Sequence, residues 1–262
     1  MRPGKRLFVG VRISVAASNA LAGCAETLAR RARDAGVDLK WVAPVNYHVT
    51  LAFLGWTGVE AIGRVCDALA AAVAEAAAAG PSRTTFRTTR LGAFSSLDHA
   101  SVLWAGIEDG AALTGLARSI GAAMAALGFQ VERSETGGGD PEGSAGGAGG
   151  KAPRGINARP FHPHVTLARL RTPRAIREIV LPMAEQMFGD TRIDAVTLFE
   201  SETKSTGSVY REVQKIALER AVRTPSEPSK RQTDALERGI PDREPDDSLT
   251  DDGWPRGQGP TE

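Results

Sequence analysis

A chain of 262 residues with 42% hydrophobic content is long enough for one large domain or two small lobes around a real core. Its formal charge of +1 excludes a strongly basic nucleic-acid scaffold, but it hides an asymmetry. From Ala221 to the end there are ten acidic and six basic residues, so the rest of the chain is mildly basic, at +5. No stretch approaches the roughly 20 apolar residues that a membrane span needs. The two cysteines, Cys24 and Cys66, have neither metal nor disulfide spacing and fall in predicted helices. They fit reduced thiols in a cytoplasmic protein.

Residues 7–13 read as a strand. The first 18 residues faintly resemble a secretion signal, but Arg12 interrupts the apolar run. Leu21, Ala25, Leu28 and Ala32 recur at helical spacing and predict a helix over 14–36, stopped by Gly36. A short strand over 39–42 ends at Pro44. A further strand, 48–55, closes at Gly55. An alanine-rich helix follows over 59–79, with Ile62, Val65, Leu69 and Val73 on one stripe, and Gly80-Pro81 ends it.

Strands are expected at 84–91 and 101–107, with His99 in the loop between them. A third helix spans 110–127, and 129–132 starts another strand. Residues 134–155 hold nine glycines, a composition that behaves as flexible coil. Gly150-Lys151 does not make a phosphate loop. Ala152 stands where Ser or Thr is required, and Ala145 where a glycine is. Thr172-Pro173 reads as an N-cap and first helical residue of a helix to about Val180, followed by a short helix over 181–188. Strands at 192–200 and 208–218 form an expected hairpin. Beyond Ala221 come six of the 15 prolines, many charges and little apolar periodicity, the pattern of a disordered tail.

One stretch occurs twice. His48-Val49-Thr50-Leu51-Ala52-Phe53-Leu54-Gly55 returns as His164-Val165-Thr166-Leu167-Ala168-Arg169-Leu170-Arg171, with a proline four residues before each histidine. Both alternate as half-buried strands, so each presents an imidazole and a hydroxyl on one face. Duplication for packing alone would preserve Val and Leu. It would not require His and Thr opposite them. His162 rivals His164, since both lie on one side of an extended chain, but only His164 has a threonine two residues on.

Two histidines and two threonines suit chemistry on a phosphodiester. An imidazole with a pKa near 6.5 can act as acid or base close to neutrality. Hydroxyls can donate to the non-bridging oxygens, whose charge must be stabilised in the transition state. Neither copy contains an Asp, Glu or Cys that would complete a zinc set, so no metal and no cofactor is expected.

The segment from Trp41 to Gly55 and the segment from Arg159 to Arg169 resemble the two signatures of the RNA 2',3'-cyclic phosphodiesterases, the LigT-like or "2'-5' RNA ligase" family of two-histidine phosphoesterases. The resemblance runs from about Leu7 to Leu218 and includes Leu198-Phe199-Glu200-Ser201, Gly207 and Tyr210. The family's link before the second signature is usually much shorter than the glycine-rich one here. The resemblance implies hydrolysis of a terminal RNA 2',3'-cyclic phosphate to a 2'-phosphate. It implies His48 as proton donor and His164 as proton acceptor, with Thr50 and Thr166 binding substrate. The near-symmetry of the copies leaves both assignments of acid and base open. The resemblance also places Arg169 in the site, although a regular strand would turn it to the opposite face from His164.

The expected fold is α+β with two pseudo-symmetric lobes. Each is an antiparallel sheet with outer helices, and the active-site cleft lies between the sheets. Residues 1–220 form the bilobal domain with 134–155 as an insertion, and 221–262 are the tail. The expected partners are RNA ends or small nucleotide cyclic phosphates, with no membrane, for a monomer. The rival readings are 2'-5' ligation by the reverse reaction and a nucleotide-binding sensor without turnover.

Overall fold

The computed structural model describes residues 3–79, 84–130, 161–204 and 207–218. The 134–155 insertion and the 221–262 tail lie outside them, as does the second half of the strand expected at 129–132, whose first half, Phe129 and Gln130, is not in a strand. In chain order the elements begin with strand β1 (Gly4–Arg12), helix α1 (Val15–Asp34), strand β2 (Lys40–Trp41) and a 3-10 turn at Pro44–Asn46. Next come β3 (His48–Gly58), a 3-10 turn at Val59–Ala61, α2 (Ile62–Ala79), β4 (Thr85–Phe94), β5 (Ala100–Glu108) and α3 (Ala111–Ala126). After the glycine-rich link follow β6 (His164–Arg174), α4 (Arg177–Val180), β7 (Met187–Arg192), β8 (Ala195–Lys204) and β9 (Gly207–Ala217).

The nine strands make one open antiparallel sheet in the order β7-β4-β5-β6-β3-β1-β8-β9, with β2 added to β6. It consists of two four-stranded halves, and each half has one copy of the repeated stretch as its innermost strand. The halves meet through Val49 of β3 and Val165 of β6. This is the α+β, antiparallel architecture that the sequence predicts, with the two expected sheets joined into one.

One face of the sheet carries the core. Val49, Leu51, Val165 and Leu167 are all but inaccessible, and so are Leu21 and Leu28 of α1, Leu69 of α2 and Leu113 and Ile120 of α3. Burying each such side chain stabilises the fold by about 1.5–3 kcal/mol relative to leaving it in water. Helix α1 starts where the Ser14 hydroxyl accepts from the Ala17 amide at 3.2 Å. It buries Leu21, Cys24, Ala25, Leu28 and Ala32 on the stripe that the sequence marks. Among the described residues no helix is long and apolar enough to cross a membrane.

Two expectations fail between the second histidine motif and the final hairpin. Thr172 and Pro173 do not open a helix. They continue β6, whose pairing with β5 runs from Gly106–His164 out to Ala100–Arg174. A proline at the end of a strand costs the sheet little, so the pairing overrides the helix-start signal. Helix α4 is consequently only four residues long. Residues 187–192 are not helical either. They form edge strand β7 against β4, burying Phe188 and Thr191.

Candidate active site

The site lies on the other face of the sheet, at the seam between the halves. An antiparallel register through Val49 and Val165 sets His48 across from Thr166 and Thr50 across from His164. Since both valines point into the core, the two histidines and two threonines point away from it together. His164 is buried at 8% exposure, and His48 and Thr50 are half-buried.

The two motif strands share an irregularity that their sequences do not advertise. In β3, Ala52 pairs with Val9 and Thr50 with Gly10, so Leu51 is an extra residue. In β6, Ala168 pairs with Leu103 and Thr166 with Trp104, so Leu167 is its counterpart. Each bulge inverts the alternation beyond it. Arg169 therefore pairs with Val102 and shares the face of Trp104, Thr166 and His164. Its charge acts on both imidazoles. The alternation of the sequence put Arg169 on the opposite face, and the bulge brings it round. Phe53, which occupies the same position in the first copy, is turned to the site face in the same way and lies 6.1 Å from Phe8.

Each imidazole is held by the chain just before it. His48 Nδ1 lies 2.6 Å from the Asn46 carbonyl oxygen, and His164 Nδ1 lies 2.8 Å from that of His162. An Nδ1–H donating to these carbonyls leaves Nε2 as the lone-pair nitrogen of the neutral ring. The Thr50 hydroxyl lies 3.0 Å from His48 Nε2, placed to donate to it. The turn that supplies the Asn46 carbonyl is itself braced. Ser18 donates to the Pro44 carbonyl, Arg12 to the Val45 carbonyl at 2.7 Å, and the Asn46 side chain to the Ser208 carbonyl at 2.8 Å. Gly10 makes room for the first ring, because a Cβ there would stand 2.9 Å from the Val49 carbonyl and 3.2 Å from His48 Cδ2.

Aromatic rings surround both histidines. Phe8 packs 4.9 Å from the His48 ring and Tyr210 meets it edge-on at 5.3 Å. Phe94 meets His164 edge-on at 4.9 Å, with Trp104 at 6.4 Å and His162 at 6.3 Å. His162 is thus part of the wall beside His164, against Trp104 at 5.1 Å.

This environment disfavours charged imidazoles. Burial pushes His48 down to about 4, opposed by its bond to the Asn46 carbonyl and reinforced by the charges of Arg12, His164 and Arg169. Burial likewise pushes His164 down to about 4, opposed by the His162 carbonyl and reinforced by His162 and Arg169. At neutral pH the site therefore holds two neutral rings and a guanidinium. An anionic phosphate between them would favour protonation of one ring, and the other would stay a base.

Register sets His48, His164, Thr50, Thr166 and Arg169 on one face of the sheet at the seam. Sequence reasoning did not find Phe8, Phe94 and Trp104. They lie outside the repeat, and only strand register reveals that they face it. Phe199 and Tyr210 carried a signal in the C-terminal pattern, and both lie beside His48.

A fold of two sheet halves with a histidine–threonine strand at the centre of each defines a class, and comparison with known proteins names it. Residues 22–205 match the model of the 2'-5' RNA ligase superfamily, and the chain belongs to that family. A protein of Geobacillus stearothermophilus named RNA 2',3'-cyclic phosphodiesterase is 28% identical over 172 residues, 63% of this chain. The chain spans less than half of that relative, 44% of its length. A protein of the same name from Aeropyrum pernix is 27% identical over 180 residues, covering 67% of this chain and 84% of the relative. Among solved structures, TT0787 of Thermus thermophilus superimposes with a TM-score of 0.57 at 24% identity, over 81% of this chain and 97% of its own. Escherichia coli LigT, crystallised with 3'-AMP, gives 0.52 at 19% identity, over 82% and 98%. At these identities the structures speak to the fold.

Proposed function

We propose that this chain hydrolyses the terminal 2',3'-cyclic phosphate of RNA to a 2'-phosphate, with His48 and His164 as general acid and base and without a metal or cofactor. The observation that carries this reading is the pair of imidazoles, His164 buried and His48 half-buried, each fixed through Nδ1 to a backbone carbonyl, on either side of the Val49–Val165 pair. The names of the relatives support the reaction class.

In this reading His164 Nε2 takes a proton from water, and the water oxygen bonds to phosphorus. The bond from phosphorus to the 3' oxygen breaks, and protonated His48 gives its proton to that oxygen. The products are a 2'-phosphate and a free 3'-hydroxyl. His48 as donor follows the family resemblance. Thr50 and Thr166 donate to the non-bridging oxygens, and Arg169 neutralises the charge gathering there. The bond of Thr50 to His48 must exchange for one to phosphate as substrate enters. The carbonyl clamps keep each ring's orientation fixed, so little reorganisation accompanies proton transfer.

Incubating the protein with an RNA ending in a 2',3'-cyclic phosphate tests this reading. Release of a 2'-phosphate end is expected, and a substrate that stays unchanged would point to a sensor that binds without turnover.

A further inference from the structure

We propose that Phe53 and Trp56 extend the site into a stacking track for single-stranded RNA, with Trp56 taking a base on the 5' side of the reacting nucleotide. The inference rests on the reading above and adds a preference for RNA strands over single nucleotides.

Register places the track. Arg12 pairs with His48, Gly10 with Thr50, Phe8 with Phe53 and Arg6 with Trp56. The β1 members of these pairs alternate, so all lie on one face of the sheet. Their β3 partners therefore share that face, although they are spaced by two, three and three residues. The bulge at Leu51 and a second one between the Phe53 and Gly55 pairs account for the extra residues. A continuous row thus runs from His48 through Thr50 and Phe53 to Trp56.

The outer end of the row is open and apolar. Phe53 is 37% exposed and Trp56 is 66% exposed, an unusual display for two adjacent rings on one face. The indole lies over Gly4, where a Cβ would stand 2.6 Å from Nε1 and 2.7 Å from Cε2. Glycine at that position lets the ring lie against the strand and keep its other side toward solvent. Beside it Arg6 makes no ion pair among the described residues, whereas its neighbour Lys5 is bound to Glu200 at 2.8 Å.

A guanidinium next to exposed rings, continuous with a phosphate site, is the chemistry that holds single-stranded nucleic acid. Successive rows are two β1 residues apart, about 7 Å. That is about twice the 3.4 Å rise of a stacked strand, so each ring can take one base of an extended RNA. The polarity follows from the chemistry. A 2',3'-cyclic phosphate sits on the 3'-terminal nucleotide, so any chain leading away from it is the 5' part.

The test compares wild type, Trp56→Ala and Trp56→Phe on two substrates, a mononucleoside 2',3'-cyclic phosphate and a hexaribonucleotide ending in one. The wild type is expected to prefer the hexamer in kcat/KM. Trp56→Ala should lose about 10-fold on the hexamer, within the range of one base–aromatic stack, and change less than about 2-fold on the mononucleotide. Trp56→Phe should keep most of the preference. An equal loss on both substrates, or none on the hexamer, would overturn the track.

If the wild type turns over neither substrate, the catalytic reading fails, and binding still decides the track. A labelled hexamer ending in a 2'-phosphate, followed by fluorescence anisotropy, should bind about 10-fold tighter to wild type than to Trp56→Ala. Equal affinities would overturn it. Unchanged RNA affinity together with self-association of the wild type, absent from Trp56→Ala in sedimentation, would assign the face to a second copy of the chain instead.

Discussion

Val49 and Val165 face each other at the seam of the sheet, each buried in the core, and their pairing sets the two histidine–threonine pairs back to back on the opposite face. The two halves of the sheet meet there, so the residues that join the fold are neighbours of those proposed to carry its chemistry. A change in the packing of this seam acts on both.

Gly10 gives a direct check of that coupling. A Cβ at this position meets the Val49 carbonyl at 2.9 Å and the His48 ring at 3.2 Å, so β1 and β3 must separate to admit it. Gly10→Ala is expected to destabilise by about 1–3 kcal/mol, a fall of about 2–12 °C in melting temperature at this size. Turnover should fall in the part of the population that stays folded. An unchanged melting temperature with unchanged turnover would show that the seam is looser than it looks.

Both imidazoles are held down to about 4 by burial, below their ordinary value near 6.5. Between these values the unfolded chain takes up protons that the folded protein refuses. Stability from this source is therefore complete above about pH 6.5 and is lost as pH falls through 4. Melting temperature should drop over that interval, and His48→Asn or His164→Asn should each shallow the drop. The same environment predicts a difference between two rate profiles. Bound phosphate raises the pKa of the acid, so the alkaline limb of kcat should lie at higher pH than that of kcat/KM. Coincident limbs would mean that the phosphate does not contact the protonated ring.

Much of this was legible in the sequence because the signal was repeated. Two copies of His-x-Thr-Leu mark the symmetry of the sheet, its central strands and the polar residues of the candidate site. Arg169 was harder. Its side of the strand depends on one extra residue at Leu167, and nothing in the local pattern marks a bulge there. The aromatic wall was invisible for another reason. Phe8, Phe94 and Trp104 alternate with apolar neighbours and read as ordinary core residues until register turns them toward His48 and His164. Edge strand β7 was missed because Gly189, at φ 120°, and its polar neighbours break the alternation that identifies a strand.

The composition of 134–155 and of the tail predicts that neither is needed for folding, since segments so poor in apolar side chains have little area to bury. Replacing 134–155 with a short linker, or truncating after Arg220, should leave the melting temperature within a few degrees. A fall of more than about 10 °C, well beyond the 2–4 °C per kcal/mol typical at this size, would show that either segment packs on the body.

The hydroxyls are expected to matter less than the rings. Thr50→Ala and Thr166→Ala each remove one hydrogen-bond donor and leave the proton path in place, so each should lower kcat less than loss of either histidine. A loss from either threonine variant as large as that from His48→Ala would move the hydroxyl into the proton path.

The central claim is that the two repeated strands are the catalytic apparatus, and hydrolysis of an RNA 2',3'-cyclic phosphate by wild type, His48→Ala, His164→Ala and the double variant in the presence of EDTA tests it most directly. Wild-type activity should be untouched by EDTA and should yield a 2'-phosphate. Each single variant should lose about 10²–10⁴-fold in kcat, and the double variant less than the product of the two losses, since the pair acts as a unit. Substantial hydrolysis by the double variant, or wild-type activity abolished by EDTA and restored by zinc, would contradict it.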